Sequence, residues 1–137
     1  MNISSRCDYA CRAIVQLALL PPDEATITAT AIAEKRNIPE KYLVHILLEL
    51  KKAGLVSSVR GAQGGYKLAK KPTDISLLDI VLAVDGPLLS PAPCEDDTSD
   101  ELAQTWAEAG KEMEQVLGQI TVQTIADRAS KANMYFI

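Results

Sequence analysis

The sequence predicts a mainly α fold with a small β-hairpin wing, a winged helix-turn-helix continued by a long dimerisation helix. Three observations carry that expectation. Two short helical segments meet at Asn37-Ile38-Pro39, a three-residue turn. Two strand-like runs follow the second segment and flank Gly61-Ala62-Gln63-Gly64-Gly65. Further on, Leu102, Trp106, Ala109, Met113, Val116 and Ile120 recur at a 4-3-4-3-4 spacing, the pattern of a helix lying along another helix.

Each element has its own local signal. Ile3, Cys7, Ala10, Ile14 and Leu17 place a helix over about residues 3–19, and Pro21-Pro22-Asp23 ends it because proline has no amide hydrogen to donate. Thr26-Ile27-Thr28 suits a short strand, and Thr28 suits the N-cap of a helix reaching Arg36. Pro39 is placed to open the next helix, about Glu40–Ala53, in its first turn. Leu43, Ile46, Leu47 and Leu50 form the apolar stripe of that helix, and Gly54 suits the left-handed residue just past its end. Leu55–Arg60 and Tyr66–Ala69 are the wing strands. Ser76-Leu77-Leu78-Asp79 reads as a capping box opening a helix to about Val84. Residues 85–99 hold three prolines and the acidic run Glu95-Asp96-Asp97, so they read as a loop. Gly118 is expected to interrupt the long helix near its end, before a last helix over Thr121–Lys131. The divisions are therefore 1–84, the winged helix-turn-helix; 85–99, a loop; and 100–137, the dimerisation helix and a C-terminal helix.

A chain of 137 residues with 47% hydrophobic content is sized and composed for one globular domain. Its three cysteines, Cys7, Cys11 and Cys94, are an odd number and form no disulfide framework, which favours a reducing, cytoplasmic setting. The first residues lack the basic and apolar regions of a signal peptide, and no apolar run approaches the ~20 residues that span a bilayer. The net charge of −4 conceals a division. Residues 1–71 carry 11 basic and 6 acidic side chains, whereas residues 72–137 carry 3 and 12. From Lys41 to Lys71 the count is seven basic to one acidic, Glu49. A basic segment of this kind suits a polyanion, although a solvated basic surface gives the same count.

The helix near residues 40–53 and its wing fit duplex DNA. A recognition helix enters the major groove N-terminus first, with its non-core side chains toward base edges. Those side chains here are Lys41, Tyr42, Val44 and His45. Lysine and histidine meet guanine acceptors or phosphate, tyrosine bonds phosphate, and valine meets a thymine methyl. Arg60, beside the wing glycines, suits a narrow minor groove, and Lys67, Lys70 and Lys71 add affinity for the backbone. Tyr42 packed on the wing and His45 as an ordinary solvated side chain are the plainer readings. No Ser/His/Asp set, zinc spacing or nucleotide fingerprint is present, and Gly61–Gly65 lacks the strand-loop-helix setting and ending of a phosphate loop. An enzyme is not expected.

The sequence resembles the IscR-type winged-helix regulators, the bacterial group that also includes the nitric-oxide-sensing and cysteine-metabolism repressors. The resemblance rests on Cys7-Asp8-Tyr9-Ala10, Pro39-Glu40-Lys41-Tyr42-Leu43, the run Leu50–Gly61, Gly64-Gly65-Tyr66 and Ile80–Gly86. It implies a homodimer joined through the helix near residues 100–118. It also implies that Lys41, Tyr42, Val44 and His45 face the major groove and Arg60 the minor groove. Val44 and His45 replace a Glu-Gln pair common in such proteins. Cluster-binding members place three cysteines in the loop after the Ile80–Val84 helix, where this chain has only Cys94. Three sensor readings follow: a thiol switch at Cys94, although its acidic neighbours raise its pKa; an atypical iron–sulfur cluster on Cys94 with Cys7, Asp8 or Cys11; or control by a metabolite or protein partner without a cofactor. Cys7 and Cys11, four residues apart on one side of a helix, read first as small core side chains, because free cysteine is so often buried. A winged-helix protein-interaction module is the remaining alternative to a DNA-binding regulator.

Overall fold

The computed structural model describes residues 2–21, 25–62, 64–89 and 100–134. In chain order these form α1 (Ser5–Ala18), α2 (Ala29–Arg36), α3 (Glu40–Lys52), β1 (Val56–Val59), β2 (Gly65–Leu68), a 3₁₀ turn (Pro72–Asp74), α4 (Leu77–Val84), α5 (Asp100–Gln119) and α6 (Val122–Met134). Ile14, Ile32, Leu43, Ile46, Leu47, Leu50, Ile75, Ile80 and Val122 are its largest enclosed apolar side chains, so every helix except α5 contributes directly to the core or to its edge.

Capping sets most of these boundaries. The Thr28 hydroxyl accepts the Ala31 amide at 3.2 Å, satisfying an otherwise orphaned donor at the start of α2. Asn37 then takes the left-handed conformation (φ 53°), and the Ile38 amide returns to the Ala33 carbonyl at 3.0 Å. Pro39 precedes α3 as its N-cap, rather than lying inside the first turn, and its carbonyl accepts the amides of Tyr42 and Leu43. At the far end Gly54 (φ 79°) donates to the Lys51 carbonyl and Leu55 to that of Leu50, both at 3.0 Å. This paired closure turns the chain into the wing and buries Leu55. The expected capping box is present at α4: Ser76 accepts the Asp79 amide while Asp79 accepts the Ser76 amide.

β1 and β2 pair antiparallel, with Val56 opposite Leu68 and Val59 opposite Gly65. The third short strand reduces to one bridge, in which Ile27 and Tyr66 exchange both backbone hydrogen bonds at 2.8–3.0 Å. Gly65 makes this approach possible. A Cβ there would lie 2.6 Å from the Ile27 carbonyl oxygen, well inside contact distance. Gly65→Ala is expected to destabilise the domain by about 1–3 kcal/mol, because the clash is with backbone that cannot rotate away. Chemical denaturation tests this, and an unchanged midpoint contradicts it.

Two features differ from expectation. Gly118 does not interrupt α5, which continues to Gln119, and α6 extends to Met134. A glycine costs a helix only about 1 kcal/mol, and α5 is held by its surroundings. Leu78 approaches Gly118, Leu89 approaches Gly110, and the Leu77 amide donates to the Ile120 carbonyl at 2.8 Å just past the helix end. Residues 90–99, most of the expected loop, lie outside the described residues.

Candidate nucleic-acid interface

The face of α3 opposite its core stripe is open to solvent. Leu43, Ile46, Leu47 and Leu50 are at most 1% exposed, and the 3.6-residue turn brings Lys41, Val44, His45, Leu48 and Lys52 to the other side. Val44 and Leu48 are 48% and 49% exposed, although both are apolar. Tyr42 stands at the edge of this face, 50% exposed. The Lys41 ammonium lies 5.2 Å from its ring centre, within cation–π range. Sequence reasoning overlooked Leu48, although its spacing from Lys41, Val44 and His45 already placed it among them.

Side-chain contacts hold α3 to its neighbours. The Thr30 hydroxyl at the start of α2 donates to Glu40 in the first turn of α3 at 2.7 Å. The Lys51 ammonium donates to the Ser58 hydroxyl on β1 at 2.7 Å, joining the end of α3 to the wing. At the solvent edge between α1 and α3, the Arg6 guanidinium donates to Glu49, a charge-assisted pair. The α3 face and the wing are thus mounted on one rigid unit.

The Arg6–Glu49 pair also decides the electrostatics. Glu49 is the only acid between Lys41 and Lys71, and Arg6 occupies it. The seven cations of that stretch, Lys41, Lys51, Lys52, Arg60, Lys67, Lys70 and Lys71, are all exposed. None of them forms an ion pair among the described residues. The one acid of this stretch is therefore compensated by a cation from a distant helix, which the sequence count alone did not establish.

The proposed sensor residues are distributed differently. Cys7 is 1% exposed, and Cys11 packs against the core beside it. Burial, and then the Asp85 carboxylate, push the Cys7 thiol up. Burial, followed by Cys7, pushes Cys11 up to about 12. Both are neutral thiols at physiological pH. Asp8 is occupied by Arg12 at 2.9 Å, one turn along α1. No three histidine, cysteine or carboxylate side chains among the described residues stand close enough to hold a metal. The described residues therefore do not by themselves fit an iron–sulfur cluster, and Cys94 lies outside them. The raised thiols carry a stability signature. A thiol with a folded pKa above its unfolded value holds its proton longer in the native state, so its contribution is full below pH ~9 and is lost as pH rises toward ~12. Cys11→Ala is expected to flatten that alkaline decline in urea-melt stability, and an identical decline would contradict the burial of this thiol.

A three-residue turn between α2 and α3, an exposed α3 face and a hairpin wing define a winged helix-turn-helix protein. A family model described as Rrf2, iron-dependent transcriptional regulator, matches residues 3–128. An rrf2-like helix-turn-helix regulator of Rhodobacter capsulatus is 40% identical over 115 residues, covering 74% of this chain and 73% of its own. CymR of Bacillus subtilis is 31% identical over 140 residues and covers both chains completely. The structure of CymR, the global cysteine regulator of B. subtilis, superposes with a TM-score of 0.78 over 93% of this chain and 98% of that one, at 30% identity. That of T. potens IscR gives 0.77 at 34% identity, over 96% and 90%. The chain belongs to the Rrf2 family of transcriptional regulators, and its relatives are regulators rather than enzymes. No described helix is long and apolar enough to cross a membrane.

Proposed function

We propose that the chain acts as a two-fold symmetric dimer that reads operator DNA with α3 and the wing, under redox control through the segment around Cys94. The observation that carries the DNA reading is the unbroken run of exposed cations from Lys41 to Lys71, whose only acid is occupied by Arg6. Lys41, Tyr42, Val44 and His45 face the major groove in this reading. Arg60 enters the minor groove, and Lys67 and Lys70 hold the backbone. Selection from random duplex DNA, followed by affinity measured across salt concentration, tests it. A recovered consensus and a steep negative salt slope are expected. Salt-insensitive or absent duplex binding overturns it in favour of a protein-interaction module.

The dimer is supported by α5. Leu102, Trp106, Met113 and Val116 share its outward stripe and are 37–59% exposed in the single chain. Gly110 and Gly118 face Leu89 and Leu78 on the inward side. A solvent-facing stripe with coiled-coil spacing fits the same stripe of a second copy, placing two α3 helices for two half-sites.

The redox reading is supported by elimination among the thiols. Cys7 and Cys11 are core residues with raised pKa, which leaves Cys94 as the thiol that can respond. Its position in sequence, between the winged region and α5, joins the reading head to the dimer helix. Peroxide is expected to change DNA affinity in the wild type and not in Cys94→Ser. Brown anaerobic protein containing iron and acid-labile sulfide, both lost in Cys94→Ser, assigns the signal to a cluster instead of a bare thiol. Colourless protein whose Cys94→Ser variant responds to peroxide like the wild type overturns redox control through this residue.

A further inference from the structure

A cleft of about 610 Å³ opens between the C-terminal halves of α1, α2 and α6, apart from the α3 face. Gln16 of α1 and Leu19 just past its end line it, with Lys35 and Arg36 of α2 and Ala129 and Ser130 of α6. That volume suits a small organic molecule. No carboxylate lines it among the described residues. Its polar groups are instead the two cations, an amide and a hydroxyl.

Arg36 is the informative residue. Its Nε donates to the Gln16 Oε1 at 2.9 Å, which fixes the guanidinium plane. Its two terminal nitrogens have no partner among the described residues, and no ion pair compensates its charge. The Gln16 amide nitrogen is left with its donors, because its oxygen is the acceptor used. Arg12 lies on the backbone side of the same residue: its Nη1 donates to the Arg36 backbone carbonyl at 3.4 Å, while its Nη2 pairs with Asp8. Burial first, and Arg12 second, hold the Arg36 pKa below the ordinary guanidinium value. The Arg36 cation is thus partly desolvated with no ion-pair partner among the described residues, an arrangement that a bound anion would relieve. The dipole at the end of α2 favours cations in its last turn. It accounts neither for the Gln16 clamp nor for a hydroxyl supplied by α6.

We infer that this cleft is a binding site for a small organic oxyanion, a carboxylate or a phosphate ester, held end-on by the Arg36 terminal nitrogens with Lys35, Gln16 and Ser130. A planar guanidinium fixed through Nε presents two parallel donors, which match two oxygens of either group. Leu19 and Ala129 supply an apolar wall for the carbon skeleton. The site spans α2, the first helix of the helix-turn-helix, and α6, which follows the dimer helix, so the anion bridges the reading head to the dimerisation region.

Isothermal titration of the whole protein with citrate, and separately with inorganic phosphate, at constant ionic strength tests the assignment. One saturable site per chain for at least one probe is expected. Citrate alone points to a carboxylate, phosphate alone to a phosphate ester. Arg36→Gln is expected to weaken that binding by at least about tenfold, the order of one charge-assisted bidentate contact. Ser130→Glu, which puts a competing carboxylate in the cleft while leaving Arg36 in place, is expected to do the same. Circular dichroism on each variant separates lost binding from lost folding. Saturable binding of neither probe, or equal binding by wild type and both folded variants, overturns the inference. So does a pattern in which Arg36→Gln reduces only the salt slope for duplex DNA, since the cleft cations would then serve the DNA backbone.

Discussion

In the proposed dimer, Trp106→Asp is expected to leave monomers and to remove operator binding with the assembly. Trp106 occupies the centre of the exposed α5 stripe, with Leu102 one turn before it and Met113 and Val116 beyond. In a two-fold assembly each copy presents the same stripe, so one substitution places two carboxylates in the seam. An unpaired charge removed from water costs several kcal/mol, and about 4 kcal/mol corresponds to roughly a thousandfold rise in the dissociation constant. The fold of each chain should survive, because Trp106 is 42% exposed and the core comes from the other helices. Sedimentation velocity and circular dichroism together check this. A wild-type chain that sediments as a monomer, or a Trp106→Asp chain that remains dimeric, rules out α5 as the interface.

Arg60→Ala is expected to lower specific affinity by about 1–3 kcal/mol, the usual cost of one base-reading contact, and to relax preference at the bases flanking the half-site. Lys70→Ala serves as the contrast. It is also exposed and lies just beyond β2, but a backbone contact there weakens all sequences alike and reduces the salt slope by about one. Anisotropy titrations on the selected site and on a scrambled duplex, at several salt concentrations, separate the two effects. Equal losses on both duplexes for Arg60→Ala would show that the wing arginine touches only phosphate.

The chain's elements were legible because their signals are local. Thr28, Gly54 and the Ser76–Asp79 pair each act on backbone groups within a few residues. The core stripe of α3 was legible for the same reason, since helical period alone opposes Leu43, Ile46, Leu47 and Leu50 to the Lys41 face. The candidate interface followed from that opposition. Its charge did not, because a count of lysines and arginines cannot tell whether an acid from a distant helix neutralises them. Arg6 and Glu49 are 43 positions apart.

The sequence by itself determined where most helices and strands begin and which side of α3 must be buried. The tertiary structure alone decided the rest. It kept α5 helical through Gly118, because docking against α4 outweighs a small local cost. It placed Cys7 and Cys11 as neutral thiols at the core, where a shared helical face had kept a ligand role open beside the core reading. It left Leu48 in water and brought Gln16, Arg36 and Ser130, from three different helices, to one cleft. The physical reason is range. Capping and turn chemistry act over a few residues, whereas burial and charge compensation depend on which distant segments the packed core brings together.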